Sequence, residues 1–225
     1  MTEANLPDFA GLDLVYVTSL SNASAECYGP IVREARAAGA MVASNPGIRQ
    51  LTGRTQAFLE ALAHVDLISV NRVEAEALVP AMAARSALPE EPLPDAPPAL
   101  LKRGLSFGGF DMGLVRFMRT LQQAGPKWVS ITDGMDGAYL AGPNNVLWSP
   151  TLDAEVAGTA GAGDAFCSTL TAALAEGLGP EIAMQQAAIN AASVVSFVDT
   201  STGLLPLEQV EQRLSEGMPD TREVA

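Results

Sequence analysis

Val156-Ala157-Gly158-Thr159-Ala160-Gly161-Ala162-Gly163-Asp164-Ala165-Phe166 is the stretch that decides how this chain is read. A Gly-Ala-Gly-Asp turn opens a segment with helical periodicity, Phe166, Leu170, Ala173 and Leu174 forming one apolar face. Glycine lets the backbone approach a bound anion, because no Cβ intervenes. A helix start presents unpaired N–H groups and the positive end of the helix dipole. Gly161, Ala162 and Gly163 therefore outline a phosphate site, with the Asp164 carboxylate in the same turn. A Cβ branch at Gly163 is expected to crowd that site and to strain a left-handed backbone. Phosphoryl transfer to an alcohol needs this combination: charge stabilisation around the moving group, and a carboxylate to orient the hydroxyl and take its proton. The same string also reads as a plain helix start with aspartate as capping residue. A dinucleotide fingerprint is excluded, since the third glycine is missing after Gly163.

Upstream, short apolar runs alternate with helical patterns. Strands are expected over 12–17, 40–43, 66–70 and 127–132, and helices over 24–38, 53–63, 73–83 and 112–123. The repeated strand–helix order predicts an α/β fold, a doubly wound, mostly parallel sheet with helices on both faces. A β-hairpin is expected across Gly142-Pro143-Asn144-Asn145, and a last long helix from Pro180, a favoured first-turn position for proline. Pro89, Pro92, Pro94, Pro97 and Pro98 break the rhythm, so 85–109 is expected to be a long connection without regular elements.

Three further strand ends carry candidate chemistry. Asn71 and Glu74 are three apart at a helix start, so an amide and a carboxylate point one way, as an Mg²⁺–water shell beside phosphates requires. The pair equally fits a helix N-terminus with Asn71 as cap and Glu74 at the third position. Thr132-Asp133-Gly134-Met135-Asp136-Gly137 is either a backbone turn close to a ligand or a simple β-turn. Asn45-Pro46-Gly47-Ile48-Arg49 is a bare turn, or it brings Arg49 near an anionic group.

Composition bounds the class. The 225 residues are 48% hydrophobic and 17% charged, enough for one globular domain with ample core. A net charge of −13 disfavours nucleic acid and anionic membranes as partners. No apolar run is long enough for a membrane span, and the first residues lack the pattern of a signal peptide. Cys27 and Cys167 are far apart and without metal-ligand spacing, and read as reduced thiols of a cytoplasmic protein. His64 has no Cys or His neighbour and reads as a capping or surface residue.

Asn-x-x-Glu after one strand, Thr-x-Gly-x-x-Gly after another, and then Gly-Thr-Ala-Gly-Ala-Gly-Asp-Ala-Phe resemble the PfkB, or ribokinase-like, family of carbohydrate kinases. The resemblance runs from about residue 12 to 206, excepting the proline-rich span, and the glycine-rich motif is its specific part. It implies a single ribokinase-like nucleotide-binding and catalytic domain over 1–225. It implies an enzyme that uses ATP and Mg²⁺ to phosphorylate a hydroxyl of a sugar or sugar-like small molecule, with a homodimer as a possible assembly. By matched position, Asp164 is the catalytic base and Gly161, Ala162 and Gly163 form the anion hole. Asn71 and Glu74 organise Mg²⁺ and phosphate, Thr132, Gly134 and Gly137 contact nucleotide, and Asn190 falls by the adenine pocket.

The chain also departs from the family pattern. The first strands, the lid and the Gly-Gly-x-Asn string that grips the sugar are not found, so the expectation is an N-terminally incomplete kinase, with a non-catalytic or weakly active nucleotide-binding fragment as the alternative. Gly158 replaces an aspartate that helps hold a monovalent cation, which puts potassium activation in doubt. Asp133 replaces an apolar residue and is expected to face solvent.

Overall fold

The computed structural model describes residues 3–217 and 219–225. Four parallel strands lead: β1 (Leu14–Val17), β2 (Met41–Ser44), β3 (Leu67–Asn71) and, after a hairpin of its own, β6 (Trp128–Thr132). That separate hairpin pairs β4 (Leu105–Phe107) with β5 (Phe110–Met112). The main sheet continues antiparallel through β7 (Ala138–Ala141), β8 (Val146–Ser149) and the short β9 (Arg222–Glu223), giving the order β1-β2-β3-β6-β7-β8-β9.

The helices are α1 (Tyr28–Ala37), α2 (Gly47–Gly53), α3 (Thr55–Ala61), α4 (Arg72–Arg85), α5 (Ala99–Arg103), α6 (Leu114–Gln123), α7 (Ala162–Ala175), α8 (Pro180–Val194) and α9 (Leu207–Glu216). Alternation along the strands sorts them onto two faces. Val42, Ile68, Val70, Val129 and Ile131 pack with the buried sides of α1, α3, α4 and α6. Ala43, Leu67, Ala138, Leu140 and Leu147 pack with Phe166, Leu170 and Ala173 of α7 and with Ala183, Met184 and Ala187 of α8. Both faces of the sheet are thus covered, as the alternating pattern predicts.

Several boundaries move for local reasons. The helix expected over 24–38 begins as a 3-10 turn, Asn22–Cys27, and becomes α-helical only at Tyr28. The Asn45-Pro46-Gly47 turn is itself a helix entry: α2 starts at Gly47, whose φ is +72°.

The larger correction concerns 85–109. The last proline, Pro98, is followed at once by α5 and then by β4, so regular structure resumes where proline stops. Gly108 and Gly109, at φ +61° and +82°, form the tight turn of the β4–β5 hairpin, because a two-residue hairpin loop of this hand needs positive φ at both positions. Met112, expected at a helix start, closes that hairpin, and α6 begins at Leu114.

Candidate active site

The candidate residues gather where the parallel strands end. Asn71 closes β3, directly beside Thr132, which closes β6. The start of α7 lies over the same end of the sheet. Ligands of open α/β sheets bind beyond these carboxyl ends.

The two helix starts differ in how they satisfy their backbone. At α4 the Asn71 side chain accepts from the Glu74 N–H at 2.9 Å, and Glu74 Oε2 accepts from the Asn71 N–H at 2.9 Å. This is a complete capping box. The Glu74 carboxylate is buried, and burial is the main cause that lifts it above the ordinary carboxylate range. Hydrogen bonds from the Asn71 and Ile48 backbones work against that rise, while the nearby Asp164 charge adds to it. Glu74 therefore also ties the start of α4 to the start of α2.

At α7 no side chain caps the helix. Gly161 is the N-cap in the left-handed region, φ +83°, and the helical ladder begins only with the Ala165 N–H donating to the Gly161 carbonyl at 2.8 Å. The left-handed position is thus Gly161 rather than Gly163. A Cβ on Gly161 would stand 2.9 Å from Thr200 Cβ, whereas a Cβ on Gly163 would have open space. Ala162, Gly163 and the exposed Asp164 make the first turn, with their amides toward the helix start. An oxyanion fits here: a backbone that glycine alone adopts easily, free amide capacity, and room above Gly163.

In the turn after β6, Gly134 (φ +55°) and Gly137 (φ +91°) bracket a 3-10 turn. Gly137 is required by packing, since a Cβ would run into the Ser149 carbonyl. Gly134 meets nothing, so its face is open to a ligand. Asp133 does not face solvent. Its side chain is only 7% exposed and is gripped by Arg72 at 2.7 Å and Arg103 at 3.2 Å. Arg103 comes from α5, so the proline-rich connection supplies the cation that neutralises the unexpected aspartate.

Asn190 spends both polar ends on the protein: it donates to Thr169 Oγ1 at 2.8 Å and accepts from the Leu205 N–H at 3.0 Å. It joins α7, α8 and the segment before α9. Gly158 lies against the Phe197 carbonyl, and its N–H donates to the Val195 carbonyl at 3.2 Å. Arg49 is exposed and has no ion pair among the described residues. A surface groove lined by Leu88, Arg116, Arg119, Gln122 and Lys127 lies at the opposite end of β6, so it has no share in this site.

No group of three or more His, Cys, Asp or Glu side chains is arranged to hold a metal among the described residues. Asn71 and Glu74 suit the looser arrangement usual for Mg²⁺, which keeps several waters and leans on one or two carboxylates together with substrate phosphates.

An open α/β sheet with an uncapped glycine helix start and a carboxylate in its first turn has the outline of a phosphate site. Residues 112–206, which include that start, match the sequence profile of the pfkB family carbohydrate kinases. The chain is 39% identical over 80 residues to a 1-phosphofructokinase of Haloferax volcanii, an alignment covering 36% of this chain and 26% of that one. Its fold is that of the aminoimidazole riboside kinase of Salmonella enterica, solved with aminoimidazole riboside and an ATP analog (TM-score 0.69, 19% identity, 95% of this chain and 66% of that one). It is likewise that of Arabidopsis thaliana ribokinase, solved with ribose and ATP (TM-score 0.65, 18% identity, 90% and 55%). The chain therefore spans about a quarter of the phosphofructokinase and no more than two thirds of either solved kinase.

Proposed function

We propose that this protein transfers the γ-phosphoryl group of ATP to a hydroxyl of a sugar or sugar-like compound. The observation that carries this is the uncapped start of α7, where Gly161 is left-handed, Gly163 is open and Asp164 projects from the first turn. The acceptor oxygen attacks phosphorus, the bond from phosphorus to the ADP oxygen breaks, and the hydroxyl proton passes to Asp164. The amides of Ala162, Gly163 and Asp164 face the charge that spreads over the transferred group. In a loose transition state, Asp164 orients the hydroxyl more than it strips it early.

Thr132, Gly134 and Gly137 form the floor for the nucleotide, and Asn190 holds the α7–α8 pair behind it. Asn71 and Glu74 would hold Mg²⁺ through water. Mg²⁺, when bound, would neutralise the phosphate oxygens. No helix among the described residues is long and apolar enough to cross a membrane, and we infer a cytoplasmic enzyme, with a homodimer as a possible assembly. A second reading, nucleotide binding with little transfer, is favoured by one fact: a third or more of each solved kinase has no counterpart in the alignment.

Asp164→Asn decides between them. Loss of the general base lowers transfer by about 10²–10⁴-fold, while ATP binding measured by calorimetry stays close to that of the parent. A drop of less than about tenfold removes Asp164 from the role. A parent chain that binds ATP but phosphorylates none of a panel of sugars favours the second reading.

A further inference from the structure

Beneath the first turn of α7 lies a buried polar cluster to which no role is yet assigned. Cys167 is buried and follows Asp164 by three residues on the same helix. Its Sγ is 2.8 Å from the hydroxyl of Ser69 on β3 and 3.8 Å from Asn45 Nδ2, just beyond β2. The phenol oxygen of Tyr16 on β1 lies against the same thiol, shut off from solvent and without a well-formed hydrogen bond. Three successive parallel strands thus each present a polar group to one sulfur.

This is a costly place for polar side chains. Ser69 is fully buried on the sheet face that α7 covers, where its β3 neighbour Leu67 packs against that helix. A buried hydroxyl left without a partner is costly, and the thiol is the partner of Ser69. Burial also pushes the thiol up to about 11, so it is neutral at physiological pH and serves as a weak donor and acceptor.

The geometry relates the cluster to the carboxylate. Residues three apart on a helix lie on neighbouring sides, displaced by about 4.5 Å along the axis. Anchoring Cys167 to β3 therefore sets both the height and the rotation of Asp164 over the strand ends. With side-chain tips about 5–6 Å from the helix axis, a 20° roll of α7 moves the carboxylate by roughly 2 Å. Misplacement of about 1 Å costs as much as 10²-fold in rate.

We propose that Cys167, clamped by Ser69 and Asn45 and covered by Tyr16, is the positioning residue for Asp164. Its effect on rate rests on the kinase reading above; its effect on the first turn of α7 does not. The test uses the whole chain with Cys167→Ala, Cys167→Ser and Ser69→Ala. Cys167→Ala lowers kcat about tenfold while KM for ATP stays within about twofold, because the mislaid group acts in transfer and not in binding. Cys167→Ser recovers most of the loss, since it restores a hydroxyl to face Ser69. A thiol that merely fills space would not be rescued by the smaller, more polar serine, so equal losses in Ala and Ser overturn the proposal, as does an unmoved kcat.

Hydrogen exchange at the Ala165 and Phe166 amides gives a readout without turnover. Exchange is about tenfold faster in Cys167→Ala than in Cys167→Ser if the clamp holds that turn, and equal protection overturns it. A parent that phosphorylates no sugar sinks the kinase reading alone, and exchange then judges the clamp. If Cys167→Ala does not fold, Ser69→Ala, compared with the parent, carries the same two measurements.

Discussion

The starts of α4 and α7 occupy the same end of the same sheet, and they handle their unpaired amides in opposite ways. At α4 the protein answers its own backbone: Asn71 and Glu74 close on each other at 2.9 Å in both directions. At α7 glycine supplies no side chain, and the first turn keeps its donors. A helix start with a capping box is finished structure, whereas one without is a place for an anion. The two strings thus do different physical work. Asn-x-x-Glu stabilises the fold by closing a capping box. Gly-Ala-Gly-Asp leaves its backbone amides without a side-chain cap.

The contrast is broken most sharply at the glycines. Gly161→Ala forces a Cβ into a left-handed residue 2.9 Å from Thr200, and left-handed backbone costs an L-residue roughly 1–2 kcal/mol. We expect a lower melting temperature and about tenfold weaker ATP binding by calorimetry, since 1.4 kcal/mol is a tenfold change. Gly163→Ala, on helical backbone with open space, should leave the melting temperature unchanged or raise it, helix interiors favouring Ala by about 1 kcal/mol. Equal destabilisation by the two would show that the turn is not organised around Gly161.

Asn71→Ala tests the other start. Removing the cap should cost about 1 kcal/mol in urea denaturation, because the Glu74 N–H loses its acceptor. No change in the midpoint would mean that the capping box does not hold α4.

Glu74→Gln gives the smallest effect and a pH signature. Folding raises the Glu74 carboxyl above its ordinary 4.5, chiefly by burial. Such a group favours the fold below its unfolded value and loses that contribution as pH rises through the folded one. The parent should therefore lose stability relative to Glu74→Gln as pH climbs from the ordinary carboxylate range toward neutrality, followed by melting in chelator-containing buffer. Parallel stability curves across that range would show that Glu74 is no more desolvated in the fold than in the open chain.

Much of this was legible in one dimension. Alternating apolar runs and helix punctuation located the parallel strands to within a few residues, because strand burial and helix amphipathicity are written in local periodicity. The hairpin at β4–β5 was not, since five prolines nearby mask a short strand pair whose own signal is only Gly108-Gly109. The burial of Asp133 is not local in origin. Its exposure depends on Arg72, 61 residues back, and on Arg103, delivered by a segment with no expected structure.

Fold class, and the turn that carries glycine and aspartate together, follow from the residues alone, because backbone freedom and a carboxylate are properties of single residues. The tertiary structure decided the rest. It made Gly161 the left-handed residue, gave Asn71 and Glu74 to each other, and tied the Asn190 amide to Thr169 and Leu205. It also brought Ser69 against Cys167 across 98 residues and Asn45 near the same sulfur across 122. No spacing rule connects such positions. They meet because parallel strands β1 to β3 end side by side under one helix, where burial favours polar atoms that pair with each other.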